Sequence, residues 1–241
     1  IEDGAKSGKA ADSWHLWKKD LALAKDINMN AQRFSIEWSR IEPEEGKWDE
    51  EAIEHYRNML QAHRDAGMAT MLTIHHFTLP QWVALRGGWE HRDTVKFFVR
   101  FVKKVTLEYA PLVDFWITLN EPVIYLTQAY LYGVWPPGKK GIVRLLRAFF
   151  HLAKAHRLAY RAIHEISRKQ TKKEPQVGIA QNVISYSPYR RHKVGDLIFV
   201  AVVDWLWNHA FFSFTRRAHD FIGVNYYFHY RVTGANMINV Q

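Results

Sequence analysis

The sequence contains no cysteine among its 241 residues. A disulfide framework and a thiolate metal site are therefore both excluded. The absence of cysteine is typical of a reducing compartment. The first residues also lack the charged and then apolar pattern of a secretory signal peptide. Together these two absences predict a cytoplasmic protein.

A long apolar run and a glycine-rich nucleotide motif are missing as well. The most apolar window, residues 197–203, is broken by Asp204 and is far shorter than a bilayer requires. From this window we expect no membrane span and no membrane partner. No G-x-G-x-x-G or G-x-x-x-x-G-K-(S/T) pattern occurs, so nothing indicates a nucleotide cofactor.

The charge is strongly positive, with a formal net charge of +9 and an isoelectric point near 9.6. This balance raises the alternative of a nucleic-acid binder, because basic patches attract phosphates. No nucleic-acid motif accompanies the basic runs, and acidic residues are interspersed elsewhere. A solvated basic surface explains the charge better. We therefore expect no specific nucleic-acid partner. The basic runs lie at residues 139–140, 168–169, 172–173 and 190–193.

Two hydrophobic periodicities alternate along the chain, which predicts strands that alternate with helices. Two helices are predicted to begin after the N-cap residues Asp12 and Asp49, and a third begins at about Thr94. Two more are predicted over residues 142–169 and 194–212. With no linker or low-complexity stretch, residues 1–241 are interpreted as one α/β domain whose parallel strands are covered by helices. The predicted strands are residues 31–36, 68–74, 113–119, 176–184 and 220–227.

Polar or aromatic residues occur at the end of each predicted strand. In a closed (β/α)8 barrel the carboxyl ends of all strands meet at one mouth, so this pattern favours a barrel over an open sheet. Five strands cannot close such a barrel, and the fold is therefore predicted to be a partial one. The residues concerned are Arg33 and Ser35, His75 and His76, Asn120 and Glu121, Gln181 and Asn182, and Asn225 and Tyr227.

The motifs resemble those of glycoside hydrolase family 1, the β-glucosidases and β-galactosidases. The run TLNEP at 118–122 is joined by RFS at 33–35, WSR at 38–40, His76 with Leu79-Pro80, GGW at 87–89 and DFIGVNYY at 220–227. They follow the order of the family and span nearly the whole chain. The resemblance implies strands two to six of a (β/α)8 TIM barrel, and a retaining β-glycosidase acting on a small-molecule β-glycoside.

The resemblance also implies roles for individual residues. Glu121 matches the general acid/base of the family, and Asn120 matches the residue that binds the sugar 2-hydroxyl. This pair suits glycoside cleavage, which needs a proton on the leaving oxygen and a hydrogen bond at the 2-hydroxyl. His76 matches a sugar-binding histidine. Phe77 stands where the family usually has Trp, so an indole N–H donor is missing from the substrate-binding site.

Three further residues match positions that support the nucleophile. Arg33 matches the arginine beside it, Tyr227 the tyrosine that hydrogen-bonds it, and Asn225 lies in the same motif as Tyr227. The nucleophile is a second carboxylate, which retention requires. The family carries it in a Thr-Glu-Asn-Gly motif on strand seven, and no such motif occurs in this sequence.

Alternative functions stay open at this point. The chain is either part of a retaining glycosidase or a sugar-binding or structural barrel fragment without turnover, and a nucleic-acid binder is the third class. Open sheet edges predict self-association or completion by a complementary segment. No metal site is expected, since His151 and His156 lie five residues apart on a predicted helix and face different ways. His75 is interpreted as a packed strand residue that points away from the mouth.

Overall fold

A computed structural model of the chain describes residues 8, 10–172, 174–234 and 236–239. The helices and strands follow one another along the chain as α1 (Ser13–Asp26), β1 (Ala31–Ser35), α2 (Trp38–Ile41), α3 (Glu50–Asp65), β2 (Ala69–His75), α4 (Gln81–Leu85), α5 (Thr94–Tyr109), β3 (Phe115–Asn120), α6 (Pro122–Leu126), α7 (Ile142–Thr171), β4 (Gln176–Pro188), α8 (Val194–Asp204), α9 (Ala210–Phe214), β5 (Phe221–Thr233) and β6 (Asn236–Asn239). Short 3-10 turns follow α4 and α5, and π-helical turns follow α6 and α8.

The strands form one six-stranded sheet in chain order from β1 to β6. The first five are parallel, which confirms the five predicted strands and the alternation with helices. β6 was not predicted and pairs antiparallel with β5. β4 and β5 are also longer than predicted, because they continue side by side as far as Pro188 and Val232.

Apolar residues between the strands and the helices form the core. Large side chains such as Trp89, Phe98, Phe101 and Trp116 are fully buried. α5 packs on α3 and α7, and α3 and α7 pack on the strands. Gly178 on β4 permits the close approach of β5, because a Cβ at this position would lie 2.4 Å from the backbone oxygen of Phe221. The parallel strands are thus covered by helices, as the sequence predicts.

The two predicted N-caps have different outcomes. Asp49 accepts a hydrogen bond of 2.9 Å from the backbone N–H of Ala52, which confirms its role at the start of α3. Asp12 precedes α1 but makes no side-chain cap. Its backbone is left-handed, with φ of 48°, whereas an N-cap residue needs an extended backbone. Its carboxylate contacts the His15 ring at 2.6 Å instead.

One helical stretch, Val194–Phe214, is long and apolar enough to cross a bilayer, with a mean hydropathy of 1.5. The expectation of no membrane span rested on a seven-residue window, which understates this length. Only 17% of the most apolar part of the helix is buried. Its buried side is held on β4, where Asn208 Nδ2 donates to the backbone oxygen of Ile184 at 2.8 Å.

Candidate functional site

The candidate site lies at the carboxyl end of β3, where Asn120 ends the strand and Glu121 follows it. Both side chains are buried, with 3% and 8% of their surface exposed. The backbone N–H of Glu121 donates to Ala180 O at 2.6 Å, which ties the residue to β4. Its φ of 44° is left-handed, and Pro122 then begins α6. A left-handed backbone is uncommon outside glycine and is often found at functional sites.

An irregularity in β3 sets the direction of Asn120. The register with β4 shifts between Ile117 and Asn120. Thr118 contacts His156 of α7, with 2.6 Å between Oγ1 and Nδ1. Asn120 faces the side chains of β1 and β5 instead. Residues two apart on a regular strand share a face, so the bulge is what turns Asn120 away from the helix.

Side chains from alternate strands meet at this point. Asn225 on β5 donates from Nδ2 to Oε1 of Glu121 at 2.7 Å, and the same group lies 3.5 Å from Oδ1 of Asn120. Arg33 on β1 donates from Nη2 to Oδ1 of Asn120 and from Nε to Oγ1 of Thr73 on β2, the second bond at 3.0 Å. The structure therefore brings together Arg33, Asn120, Glu121 and Asn225, which the sequence predicts at one mouth.

Arg33 supplies the positive charge of the site. Burial lowers the pKa of its guanidinium, and the opposite charge of Glu121 partly offsets this effect. Arginine has such a high intrinsic pKa that it stays charged at neutral pH in either case. The site thus combines one buried carboxyl group with one cation and two side-chain amides.

His76 and Phe77 follow β2 and lie beside this group. Ser35 Oγ and His76 Nδ1 are 2.8 Å apart. Partial burial and then the charge of Arg33 lower the pKa of His76 from 6.5, so its ring is neutral at pH 7. Phe77 is half-buried and has a left-handed backbone with φ of 74°. His75 points into the core, where its Nε2 accepts from Trp89 Nε1 at 3.2 Å.

Tyr227 lies at a second irregularity, in β5. Val183 pairs with Tyr226 and Ile184 with Phe228, so Tyr227 has no partner on β4. Its side chain is 63% exposed. No hydrogen bond joins it to the described residues of the site, although its proximity affects the pKa of Arg33.

At the end of β4 the two predicted amides both bond to Trp207, in the helical segment that follows the strand. Gln181 donates from Nε2 to the backbone oxygen of Trp207 at 3.2 Å, and Asn182 accepts from Trp207 Nε1 at 3.3 Å. These two buried amides hold the helical segment that follows β4. Asn182 lies opposite Asn225 in the parallel register of β4 and β5, so it shares the face of the sheet that carries the site. Oε1 of Gln181 is buried and has no hydrogen-bond partner among the described residues.

Sequence reasoning missed Thr73 and the hydrogen bond between Asn225 and Glu121. Thr73 lies opposite Ser35 in the parallel register of β1 and β2, and a local sequence pattern does not contain this pairing. The Asn225 to Glu121 bond joins positions 104 apart in sequence, and no local pattern indicates it.

Within the described ranges, no group of three or more His, Cys, Asp or Glu side chains is placed to hold a metal ion. His151 Nδ1 lies 2.8 Å from Trp89 O, and His156 Nε2 lies 2.6 Å from Ala218 O, so both rings bind backbone groups.

Comparison with known proteins identifies relatives over most of the chain. The model of Glycosyl hydrolase family 1 matches residues 1–216. The galactolipid galactosyltransferase SFR2 of Arabidopsis thaliana is 34% identical over 96% of this chain and 39% of its own length. β-Glucosidase A of Thermotoga maritima is 31% identical over 78% of this chain and 41% of its own length. The chain thus spans about two-fifths of the length of these curated relatives.

Solved structures agree with this result. A β-glycosidase from Pyrococcus horikoshii superposes with a TM-score of 0.84 at 31% identity, covering 91% of this chain and 53% of that chain. A family 1 β-glucosidase from Thermotoga maritima gives 0.85 at 26% identity, covering 95% and 58%. These relatives are TIM barrels, and the six-stranded sheet with its covering helices is therefore an incomplete (β/α)8 barrel, as the sequence predicts.

Proposed function

The chain belongs to glycosyl hydrolase family 1, and we propose that it carries the acid/base half of the active site of a retaining β-glycosidase. The observation on which the proposal rests is the buried Glu121 carboxyl group, held by Asn225 and placed beside Asn120 at the end of β3. A general acid must present its proton in a fixed direction to the leaving oxygen.

The hydrogen bond from Asn225 assigns different tasks to the two oxygens of Glu121. Oε1 accepts from Nδ2 of Asn225, and we infer that the acidic proton is carried by the other oxygen. Oε2 is then the oxygen that donates a proton to the leaving group. After the leaving group departs, the carboxylate formed at Glu121 takes a proton from water and activates it for attack.

Asn120 is oriented in a similar way. Its Oδ1 accepts from Arg33, and so its Nδ2 group is the part that can donate to a ligand. In glycoside cleavage, hydrogen bonds at the 2-hydroxyl strengthen as the sugar approaches an oxocarbenium ion. We infer that Asn120 donates to this hydroxyl, with Arg33 fixing the amide.

His76 and Phe77 form the proposed sugar-binding side. Nδ1 of His76 contacts Ser35 Oγ at 2.8 Å, so Nε2 is the ring nitrogen that can bind a sugar hydroxyl. Phe77 offers an aromatic face and no N–H group. This side therefore binds the sugar with one polar side chain and one apolar side chain.

The proposed mechanism also requires a nucleophilic carboxylate about 5 to 5.5 Å from Glu121. No second carboxylate among the described residues hydrogen-bonds with Arg33, Asn120, Glu121 or Asn225. The chain spans about two-fifths of its relatives, and we propose that the nucleophile is supplied by protein outside this chain. Arg33 and Tyr227 would then lie beside it.

The test is a Glu121→Ala variant of the complete protein. Cleavage should survive only for substrates whose leaving group needs no proton, and azide should restore turnover by attacking the glycosyl-enzyme without base assistance. The matched control is Glu37→Gln, because Glu37 is a carboxylate beside the loop after β2 that binds Thr78 at 2.8 Å. A first-formed α product by NMR, or a Glu121→Ala variant insensitive to both leaving group and azide, would overturn the proposal.

Glycosyl transfer to a sugar hydroxyl is a second candidate activity. The observation in its favour is the match over 96% of the chain to a relative named as a galactolipid galactosyltransferase. The chemistry at Glu121 is the same, since an acceptor alcohol takes the place of water in the second step. Product analysis with and without a free sugar acceptor separates the two activities, because transfer yields a longer glycoside and hydrolysis yields free sugar.

A further inference from the structure

The helix that follows β4 has an apolar side that faces away from the sheet. Residues spaced by four, seven or eleven positions lie on the same side of a helix. On one side Asp196 is buried, and the indole of Trp207 donates a hydrogen bond to a side chain of β4. Val194, Ile198 and Trp205 lie on the opposite side and are 66%, 60% and 48% exposed. Every exposed residue from 194 to 206 is apolar or glycine, so this helix turns no polar side to water.

The apolar surface continues onto the start of α7. Phe214 ends the helical stretch after β4, and its ring centroid lies 5.3 Å from that of Phe150 on α7. Both rings are nearly half exposed. Val143 and Leu146 precede Phe150 by seven and four residues, so they lie on the same side of α7, and they are also exposed. We call the surface formed by these residues the outer apolar face; it comprises Val143, Leu146, Phe150, Val194, Ile198, Trp205 and Phe214.

Completion of the barrel would leave this face uncovered. In a closed (β/α)8 barrel the helices form one ring around the strands, so each helix contacts the next at its flank. Val194, Ile198 and Trp205 lie opposite the side that binds β4, and they therefore point out of the ring. Contiguous apolar surface on the outside of a protein marks a site that binds another protein or a membrane.

Cations lie beside the outer apolar face. The side of α7 that carries Phe150 continues with Lys154, Arg157 and Arg161, at intervals of four, three and four residues. All three are exposed, and none forms an ion pair with another residue that the structure describes. A second basic run, residues 190–193, directly precedes the helix after β4. The face therefore combines apolar side chains with positive charge that no acidic group of the chain neutralises.

This combination fits the surface of a bilayer that contains anionic lipid. At such a surface apolar side chains enter the acyl boundary, while Lys and Arg reach the headgroups. Trp205 suits the boundary, because an indole has an apolar body and an N–H group. The helix would lie along the surface and not cross it, because Asn208 holds its other side on β4. The two hydrogen bonds that join Asn208 to the backbone of Ile184 are 3.1 and 2.8 Å long.

We propose that the outer apolar face docks on the surface of a membrane that contains anionic lipid. The apolar side chains enter the boundary of the bilayer, and Lys154, Arg157 and Arg161 lie at the headgroups. This replaces the expectation of no membrane partner, which rested on a seven-residue window. The proposal is independent of the proposed glycosidase activity, since it concerns the outside of the barrel.

The experiment is flotation of the chain with lipid vesicles in a density gradient. Bound protein floats with the vesicles and aggregated protein sediments, so self-association of the chain does not imitate binding. Vesicles of phosphatidylcholine alone are compared with vesicles of phosphatidylcholine and phosphatidylglycerol. The chain should float with the mixed vesicles and much less with phosphatidylcholine alone, because anionic headgroups attract the cations of α7.

A first pair of variants tests the apolar contact. Ile198→Glu should weaken partition into the mixed vesicles by roughly tenfold or more, since the isoleucine side chain no longer leaves water. The matched control is Leu23→Glu, which makes the same kind of change at a position on α1 that is 54% exposed. Leu23→Glu should float as the unchanged chain does, apart from the small effect of one added negative charge.

A second pair tests the charges. Arg157→Glu combined with Arg161→Glu should weaken partition by roughly fivefold for each cation removed. The control combines Lys18→Glu with Lys19→Glu, two exposed positions on α1. Both double variants change the net charge equally, so the difference between them reports where the charges lie.

Three results would overturn the proposal. The first is an absence of flotation with the mixed vesicles. The second is equal flotation of Ile198→Glu and Leu23→Glu, because net charge alone would then explain the binding. The third comes from ultracentrifugation without lipid: self-association that Ile198→Glu abolishes would show that a second copy of the chain covers this face. Failure of the proposed glycosidase function would change none of these results, since no turnover is measured.

Discussion

The side-chain amide of Asn225 on β5 donates a hydrogen bond of 2.7 Å to Oε1 of Glu121, which follows β3. This bond crosses the concave side of the sheet over β4, the strand between the two. It fixes the carboxyl group whose proton the proposed reaction uses.

Asn225→Ala in the complete protein should lower kcat/KM by roughly 10- to 100-fold, since a hydrogen bond to a charged group contributes about 1.5 to 3 kcal/mol. The loss should be larger for glycosides with poor leaving groups, because these depend most on the proton from Glu121. Steady-state kinetics on a series of aryl glycosides measures the effect. Asn58→Ala on the exposed side of α3 is the control, and an equal loss in both variants would contradict the role.

The chain by itself should hydrolyse no aryl β-glucoside above background. Protonation by Glu121 alone does not supply the covalent route, which needs the second carboxylate. Release of nitrophenol from an activated glucoside is the measurement. Turnover that disappears in Glu121→Gln would show instead that the chain contains its own nucleophile.

Acid should destabilise the fold through His75 and His156. Burial lowers the pKa of each from 6.5 to about 3. The unfolded chain therefore binds these protons below about pH 6.5 while the folded chain does not, so stability falls as the pH falls toward 3. Each histidine should contribute a slope of about 1.4 kcal/mol per pH unit in this window.

Urea unfolding at several pH values measures this slope. His75→Gln and His156→Gln should each reduce by one the number of protons that the chain takes up on unfolding in this pH range. Each variant is a control for the other. A free energy of unfolding that stays constant between pH 6.5 and 4 would contradict the prediction.

The chain by itself should also self-associate. β1 and β6 are the outer strands of the open sheet, and Ile222, Val224 and Tyr226 expose apolar surface on β5. Such features favour association between chains. Analytical ultracentrifugation should show oligomers, and Val224→Lys should reduce them more than Leu85→Lys, a control at an exposed position on α4. A chain that stays monomeric and unfolds cooperatively on heating would contradict this expectation.

Nucleic-acid binding should be weak and independent of sequence despite the net charge of +9. Binding that depends on counterion release weakens steeply as salt rises. Fluorescence anisotropy with two unrelated duplexes, at about 50 and about 200 mM salt, tests both properties. Tight, sequence-selective binding at the higher salt would revive the nucleic-acid alternative.

The sequence by itself determined the five parallel strands, the longer helices between them and their order. Apolar β-branched runs predict the five parallel strands, and Asp49 marks the start of α3, because strand and helix periodicity and capping depend on nearby residues. The run TLNEP at 118–122 places Glu121 at a strand end, and the order of the motifs indicates the family.

The tertiary structure alone decided how the strand-end side chains are used. Gln181 and Asn182 hold the helix after β4, while Asn225 reaches Glu121 and Arg33 reaches Asn120. These choices depend on bulges and on contacts between strands far apart in sequence, which a local pattern does not contain. The outer apolar face has the same origin, since its residues on α7 and on the helix after β4 become neighbours only when the sheet has formed.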